Sequence, residues 1–548
     1  MNNNKSELCK ARGQYAPKVP ATLMNGLKKV VITKGEPTES VADQARIREL
    51  FPATYGAPVV NFEVGDVQDV RPLNIGVVLS GGQAPGGHNV IAGVYDGVKS
   101  ASDKSHVIGF IGGPSGLVNN EYIEITDALM DAYRNMGGFD MIGSGRTKLE
   151  SEAQFQKCIE VAKQHQLDGI VIIGGDDSNT NAAVLAEYFV AQKVPCAILG
   201  CPKTIDGDLK NQHIEASFGF DTASKTYAQL VGNIQRDAAS ARKYWHFIKL
   251  MGRSASHIGL EVALKTQPNY CLVSEEVEAQ SRSLTSIVTE LADIVTARAL
   301  EGKNYGVALI PEGLVEFIPE VKALIRELND ALVGVEDEIN AQKTVAGKVA
   351  IVNKGLTEKS AAVLSSLPEA IQAQLLLDRD PHGNVQVSLI ETEKLLIELV
   401  AAEVKARGNS QVQFKALNHF FGYEGRCAHP SNFDADYGYA LGMSAAVLTQ
   451  NHLTGYISAV RNLKDGTDKW MAGGIPASML MNIERRHGED KPVIQKALVD
   501  LNGAAFKHFA THRDAWAKED AYRYPGPIQF YGPEVLSDAI TETLRMGC

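Results

Sequence analysis

Short β-branched runs that each end in a glycine turn and lead into a helix predict an α/β protein built on doubly wound parallel sheets. Two further observations shape that expectation. At 548 residues the chain exceeds what a single hydrophobic core usually holds, so two or more domains are expected. Residues 318–410 lose the strand pattern and read as amphipathic helix over 318–340, 358–377 and 389–406.

Composition narrows the function. A hydrophobic fraction of 44% with 22% charged residues is that of an ordinary globular protein. The net charge of −11 argues against nucleic acid or an anionic membrane as partner, so an anionic substrate has to be met by a local cluster of bases. Seven cysteines, odd in number and without CxxC pairs, suggest neither a zinc site nor a disulfide framework and fit a reducing cytosol. The first residues carry no apolar signal core, and no run reaches the roughly 18 apolar residues of a membrane span, so a cytoplasmic protein is expected.

Residues 1–70 contain Pro17, Pro20, Pro37, Pro52 and Pro58 with only short helical pieces such as 41–50, and read as an extension. The strand 73–79 enters Ser80-Gly81-Gly82-Gln83-Ala84-Pro85-Gly86-Gly87 and then a helix to 98. That is the order of a phosphate cradle, although no GK[ST] follows as in a Walker A loop. A second strand, 107–111, is followed by a helix over 127–136 and a glycine-rich turn at 141–148 that carries Arg146 and Lys148. Strand 169–173 ends in Gly174-Gly175 and Asp176-Asp177, with Ser178 and Asn179 as caps for a helix over 181–191. A strand end facing a helix N-terminus presents free N–H groups and the positive end of the dipole, which suits phosphate. The next strand, 194–199, empties into Pro202-Lys203-Thr204-Ile205-Asp206-Gly207-Asp208. Carboxylates, a lysine and a threonine at two such strand ends predict a magnesium and phosphoryl-transfer site.

The pattern continues with a helix to 236, strand 245–251 ending in Met251-Gly252-Arg253, and a helix to 264 with strand 270–273 behind it. Strand 306–310 precedes Pro311-Glu312-Gly313, and 414–421 precedes Gly422-Tyr423-Glu424-Gly425-Arg426 and a helix to about 450. Strands at 456–460 and 469–472 flank Asp465-Gly466 as a hairpin. A helix over 492–509 is expected in the remainder. His88, His213 and His257 read as structural.

GGDDSNTNAA at 174–183 followed by PKTIDGDL at 202–209 resembles the phosphofructokinases, and specifically their pyrophosphate-dependent branch. The loop at 80–89, MGR at 251–253 and GYEGR at 422–426 extend the resemblance over roughly residues 73–461. It implies two doubly wound α/β domains facing each other across a cleft. In that scheme 71–218 holds the donor, 219–317 with 411–465 holds the sugar phosphate, 318–410 is an inserted helical subdomain without catalytic residues, and 466–548 packs on the body. The implied reaction moves a phosphoryl group from pyrophosphate to the C1 hydroxyl of fructose 6-phosphate. By resemblance Gly82 faces the donor phosphates, Arg146 contacts the transferred phosphate, and Met251, Gly252 and Arg253 lie at the sugar phosphate. Glu312 holds sugar hydroxyls, and Tyr423 and Arg426 meet the sugar or its phosphate. A homodimer or higher homo-oligomer is implied too, since in the family some sugar-phosphate contacts come from a neighbouring subunit.

Within that frame the chemistry assigns Asp176 to Mg2+ and Asp206 to the general base. Asp208 supports the same hydroxyl, or the metal through water. Thr204, Arg146, Lys203 and Arg253 spread over the anionic oxygens. ATP-using relatives carry glycine at the positions of Asp177 and Lys203. A carboxylate about 4 Å from a phosphate charge costs about 4 kcal/mol at an effective dielectric of about 20, on the order of a thousandfold in affinity. Asp177 therefore excludes a nucleotide and Lys203 gains the terminal phosphate of pyrophosphate. The alternatives are an ATP-dependent 6-phosphofructokinase and a non-catalytic regulatory subunit of the same fold. A Rossmann oxidoreductase is disfavoured because no GxGxxG follows the first strand.

Overall fold

The computed structural model describes residues 5, 7–67, 70–377, 385–486, 489–528 and 540–547. Parts of the extension, the helical insertion and the C-terminal segment, including Cys548, lie outside the described residues. In chain order the strands are β1 (Val30–Pro37), β2 (Pro58–Val64), β3 (Asn74–Leu79), β4 (His106–Phe110), β5 (Tyr122–Glu124), β6 (Gly169–Gly174), β7 (Ala197–Thr204) and β8 (Phe218–Gly219). They continue as β9 (Trp245–Leu250), β10 (Tyr270–Cys271), β11 (Gly306–Pro311), β12 (Ala416–Phe421), β13 (Tyr456–Arg461), β14 (Met471–Pro476), β15 (Met481–Arg486) and β16 (Glu489–Ile494). The described residues divide into two compact units. One comprises Met1–Thr226, Tyr423–Ala497 and Ile528–Arg545, the other Tyr227–Gly422, Leu498–Pro527 and Met546–Cys548.

The first unit is organised on a sheet of order β1-β2-β14-β13-β7-β6-β3-β4-β5, with β8 beside β7. β4, β3, β6, β7 and β13 run parallel, and every residue of β6 is buried, which is why these strands read as continuous apolar runs. The extension is part of this sheet: β1 and β2 form its antiparallel edge. The sequence reading places 411–465 with the sugar-phosphate domain, but Tyr423–Ala497 joins the first unit. β13 pairs with β7, and the β13–β14 hairpin expected around Asp465-Gly466 closes against β2. Such long-range pairing leaves no local mark in the sequence. Helices Gly87–Ala101 and Asn432–Gln450 cross at very short range. A β-carbon at Gly93 would lie 2.0 Å from the Tyr439 carbonyl oxygen and one at Gly442 would lie 2.0 Å from that of Val90, so only glycine permits the approach.

The second unit has an all-parallel sheet of order β10-β11-β9-β12. Helices Pro319–Ala331, Glu358–Ser366, Glu369–Leu377 and Thr392–Ala406 bear out the helical reading of 318–410. They do not form a core of their own. Val321, Leu324 and Leu328, with Leu364, Leu375, Leu396 and Val400, share one buried cluster with Trp245, Phe247, Ala308 and Ile310 of the sheet. The helix expected over 492–509 is corrected: 489–494 is strand β16, and the helix is Ala504–Lys518. Pro492 signals a helix start, yet in a two-stranded ribbon it sits where a missing N–H is tolerated. No helix among the described residues is long and apolar enough to cross a membrane.

Candidate active site

β6 and β7 are adjacent and parallel, so their C-terminal ends deliver Asp176 and the segment Lys203–Asp208 to one sheet edge, where ligands collect in such folds. The helix after β6 begins at Asp176, not at 181. Asp176 and Asp177 thus occupy its first turn, where carboxylates are favoured by the dipole, and Gly175 at the N-cap supplies no side-chain cap. Ser178 and Asn179 lie inside the helix. Asn179 ties the turn instead, its amide donating to the carbonyls of Gly174 at 2.7 Å and Gly175 at 2.8 Å. Ser178 Oγ donates to Ser80 Oγ at 2.8 Å, which joins the β6 turn to the β3 glycine loop.

β7 runs on to Thr204, so Lys203 is a strand residue, buried at the sheet edge. A β-carbon at Gly81 would lie 3.4 Å from Lys203 Nζ, and one at Gly82 would lie 3.0 Å from Arg426 Nη1 and 3.7 Å from Arg146 Nη2. The bare glycine loop is therefore ringed by three cations. Arg426 also donates to the Gln83 carbonyl at 3.3 Å. Burial, then repulsion by Arg426, lowers the Lys203 ammonium to about 8, while Asp206, Asp176 and Asp208 work in the opposite sense.

Past β7 the chain turns sharply at Gly207, whose φ of 75° suits glycine. Thr204 Oγ1 accepts from the Asp206 N–H at 3.0 Å and donates to Asp208 Oδ1 at 3.1 Å, so one hydroxyl fixes both acids. Burial, followed by the charges of Asp206 and Asp176, raises the Asp208 carboxyl to about 7, against the pull of Lys496 and Thr204. Asp206 Oδ1 and Asp176 Oδ2 are buried with no hydrogen-bond donor among the described residues. Lys496 Nζ stands 3.5 Å from Asp176 Oδ2, an ion pair beyond hydrogen-bond length.

Of the other sequence candidates, Met251, Gly252, Arg253 and Glu312 belong to the second unit. There Glu312 is buried and its Oε2 accepts from the Gly252 N–H at 3.0 Å, shaping a turn in which Gly252 has φ 129°. Arg253 is exposed. Tyr423 belongs to the first unit and is 68% exposed, while Arg426, three residues on, reaches the glycine loop. Arg426, expected at the sugar or its phosphate, thus lies against the Gly82 loop.

A family profile described as Phosphofructokinase matches residues 74–449 of this chain. The chain belongs to the phosphofructokinase family. Two proteins named pyrophosphate–fructose 6-phosphate 1-phosphotransferase, from Treponema pallidum and Porphyromonas gingivalis, are each 53% identical to this phosphofructokinase. The alignments cover 99% of this chain and 97% and 99% of theirs. A solved pyrophosphate-dependent phosphofructokinase from Marinobacter aquaeolei is 17% identical with a TM-score of 0.54, covering 82% of this chain and 93% of that one, a likeness of fold.

Two features of this phosphofructokinase escape a reading by motif. Lys496 lies past the family match, in a segment read as packing only. Its approach to Asp176 depends on β15–β16 folding back, with the Ala497 N–H donating to the Asp208 carbonyl at 2.7 Å and the Ile494 N–H to Thr180 Oγ1 at 3.1 Å. The Ser178–Ser80 hydroxyl pair likewise appears only once β3 and β6 are seen side by side.

Proposed function

We propose that this phosphofructokinase transfers a phosphoryl group reversibly from pyrophosphate to the C1 hydroxyl of fructose 6-phosphate, giving fructose 1,6-bisphosphate and phosphate. The observation that carries the donor is Lys203, a buried ammonium against the bare Gly81-Gly82 loop with Arg146 and Arg426 beside it. Three cations closing on a two-glycine loop match a compact polyanion, and the acids of the β7 turn stand next to them.

The protein's share of phosphoryl transfer is positioning and charge stabilisation. Lys203, Arg146 and Arg426 hold donor oxygens, and the backbone of Gly81 and Gly82 lets them approach. Asp206 Oδ1, which lacks a donor, takes the proton as the C1 oxygen attacks the terminal phosphorus; the bridging P–O bond breaks and phosphate leaves. Thr204 fixes Asp206 and Asp208 in register, and Asp208 stands by as a second carboxyl whose hold on a proton is strengthened by burial and by the charges of Asp206 and Asp176. Among the described residues no group of three or more His, Cys, Asp or Glu could hold a metal by itself. Magnesium does not need one, because it keeps waters and phosphate oxygens and takes one or two carboxylates. The buried, donorless Oδ2 of Asp176 fits that need. When bound, the ion neutralises donor oxygens. In the second unit Arg253 is assigned to the sugar phosphate and Glu312, through Gly252, to the shape of its turn; Met251 and Tyr423 remain with the sugar by resemblance. A cytoplasmic homodimer or higher homo-oligomer completes the reading, and sedimentation of active enzyme as a monomer would contradict the assembly.

Initial rates with pyrophosphate and with ATP test the donor. Pyrophosphate should support turnover at least about a hundredfold faster, and comparable or better turnover with ATP would overturn the reading.

A further inference from the structure

The chain on either side of Lys496 is sewn to both strand ends of the site. The Ile494 N–H donates to Thr180 Oγ1, which in turn donates to the Asp176 carbonyl at 2.9 Å, and the Ala497 N–H donates to the Asp208 carbonyl. Between these anchors the Lys496 side chain, 30% exposed, carries its ammonium to 3.5 Å from Asp176 Oδ2. That oxygen is buried without a hydrogen-bond donor, so the ammonium supplies charge to it without a bond.

We propose that Lys496 is a placeholder cation: it neutralises Asp176 in the free enzyme, and on arrival of the metal–diphosphate complex it is displaced from the carboxylate onto a diphosphate oxygen. The inference rests on the assignment of Asp176 to a divalent ion and of pyrophosphate to the donor. Its physical basis is like-charge exclusion. A small divalent ion binds a carboxylate oxygen at about 2.0–2.1 Å, and a second cation cannot stay at that oxygen. Lys496 has a fixed backbone and a flexible four-carbon stem, so its ammonium can swing while its base stays put. It is a positioning residue that exchanges partners rather than a reacting group.

The proposal requires effects of opposite sign. Mn2+ binding to the full-length chain is measured by water-proton relaxation, alone and with methylenediphosphonate, for the native protein, Lys496→Met and Asp176→Asn. Lys496→Met should bind Mn2+ alone about three- to tenfold more tightly and methylenediphosphonate in the presence of Mn2+ more weakly by a similar factor. Asp176→Asn should lose the Mn2+ site. A lysine that only braces the fold would weaken both or neither, and either result overturns the proposal, as does an unchanged Mn2+ site in Asp176→Asn. Lys496→Gln repeats the comparison if the Met variant does not fold, with circular dichroism as the check. The Mn2+-only arm contains no donor, so failure of the pyrophosphate reading, seen as preferred turnover with ATP, is distinguishable from failure here.

Discussion

The ends of β7 and β9 both carry charged groups assigned to phosphate, and they are built in opposite ways. After β7 the charges assigned to the donor are buried: Lys203 and Asp208 are 6% and 5% exposed, and each is shifted toward neutrality first by burial and then by like charges, Arg426 for Lys203 and Asp206 with Asp176 for Asp208. After β9 the charge assigned to the sugar phosphate, Arg253, is left in solvent, and the buried one, Glu312, holds the backbone of Gly252. Burial among neighbours makes the charges of Lys203 and Asp208 sensitive to pH near neutrality. Recognition of a sugar phosphate, the role assigned to Arg253, calls for a permanent charge, which a guanidinium would supply.

The contrast is tested most severely at the β7 turn. Asp206→Asn should lower kcat by about 1,000- to 10,000-fold with the Michaelis constants little changed, since the amide cannot accept the C1 proton. A loss under about tenfold in steady-state rates would remove Asp206 from the role of base. Lys203→Met should lower kcat/KM for pyrophosphate by about 100- to 1,000-fold, because it strips a cation from a buried cluster of acids as well as from the donor. Lys203→Arg should not restore it, as the ammonium lies close under Gly81.

How much of this was legible follows the same division. β3, β6, β9 and β11 are readable to within two residues, because a strand buried in a parallel sheet is an apolar run cut off by glycine. Asp176, Lys203, Asp206 and Asp208 do meet at one edge, since their motifs flank adjacent strands. Less visible were features set by distant pairing. The join of Tyr423–Ala497 to the first unit, the swing of Arg426 onto the Gly82 loop and the approach of Lys496 to Asp176 all depend on contacts hundreds of residues apart. The false helix at 492–509 shows the converse, a local signal at Pro492 overridden by the β15–β16 ribbon.

Next in size is the pH response. Lys203, ordinarily near 10.5, is lowered to about 8, so it is charged below that pH and its hold on the donor is lost as pH rises through it. Asp208, ordinarily near 3.8, is raised to about 7, so it gains a full negative charge only above that pH. kcat/KM for pyrophosphate should therefore peak between about 7 and 8 and fall toward tenfold per pH unit on either side. Lys203→Arg should carry the alkaline limb out of range and Asp208→Asn should abolish the acid one. Glu312→Gln, tested on the other strand end, should raise KM for fructose 6-phosphate by about tenfold through its weaker hold on Gly252, without moving either limb.

The smallest effect concerns Asp177, and the structure is the reason for its size. A carboxylate in low dielectric beside a nucleotide phosphate would discriminate about a thousandfold, yet Asp177 is exposed on the first helical turn. Solvent takes the penalty toward its value in bulk water, about 1 kcal/mol at 4 Å, which is about fivefold. Lys203, buried against the Gly81-Gly82 loop, should then carry most of the preference for pyrophosphate. Asp177→Gly should raise kcat/KM for ATP by about fivefold and leave pyrophosphate still the better donor, whereas Asp177→Gly with Lys203→Gly should bring the two donors close together by collapsing use of pyrophosphate. If the single variant used ATP as well as pyrophosphate, the exposed acid and not the buried base would be the discriminating charge, and the contrast between buried and exposed groups would fail at its own site.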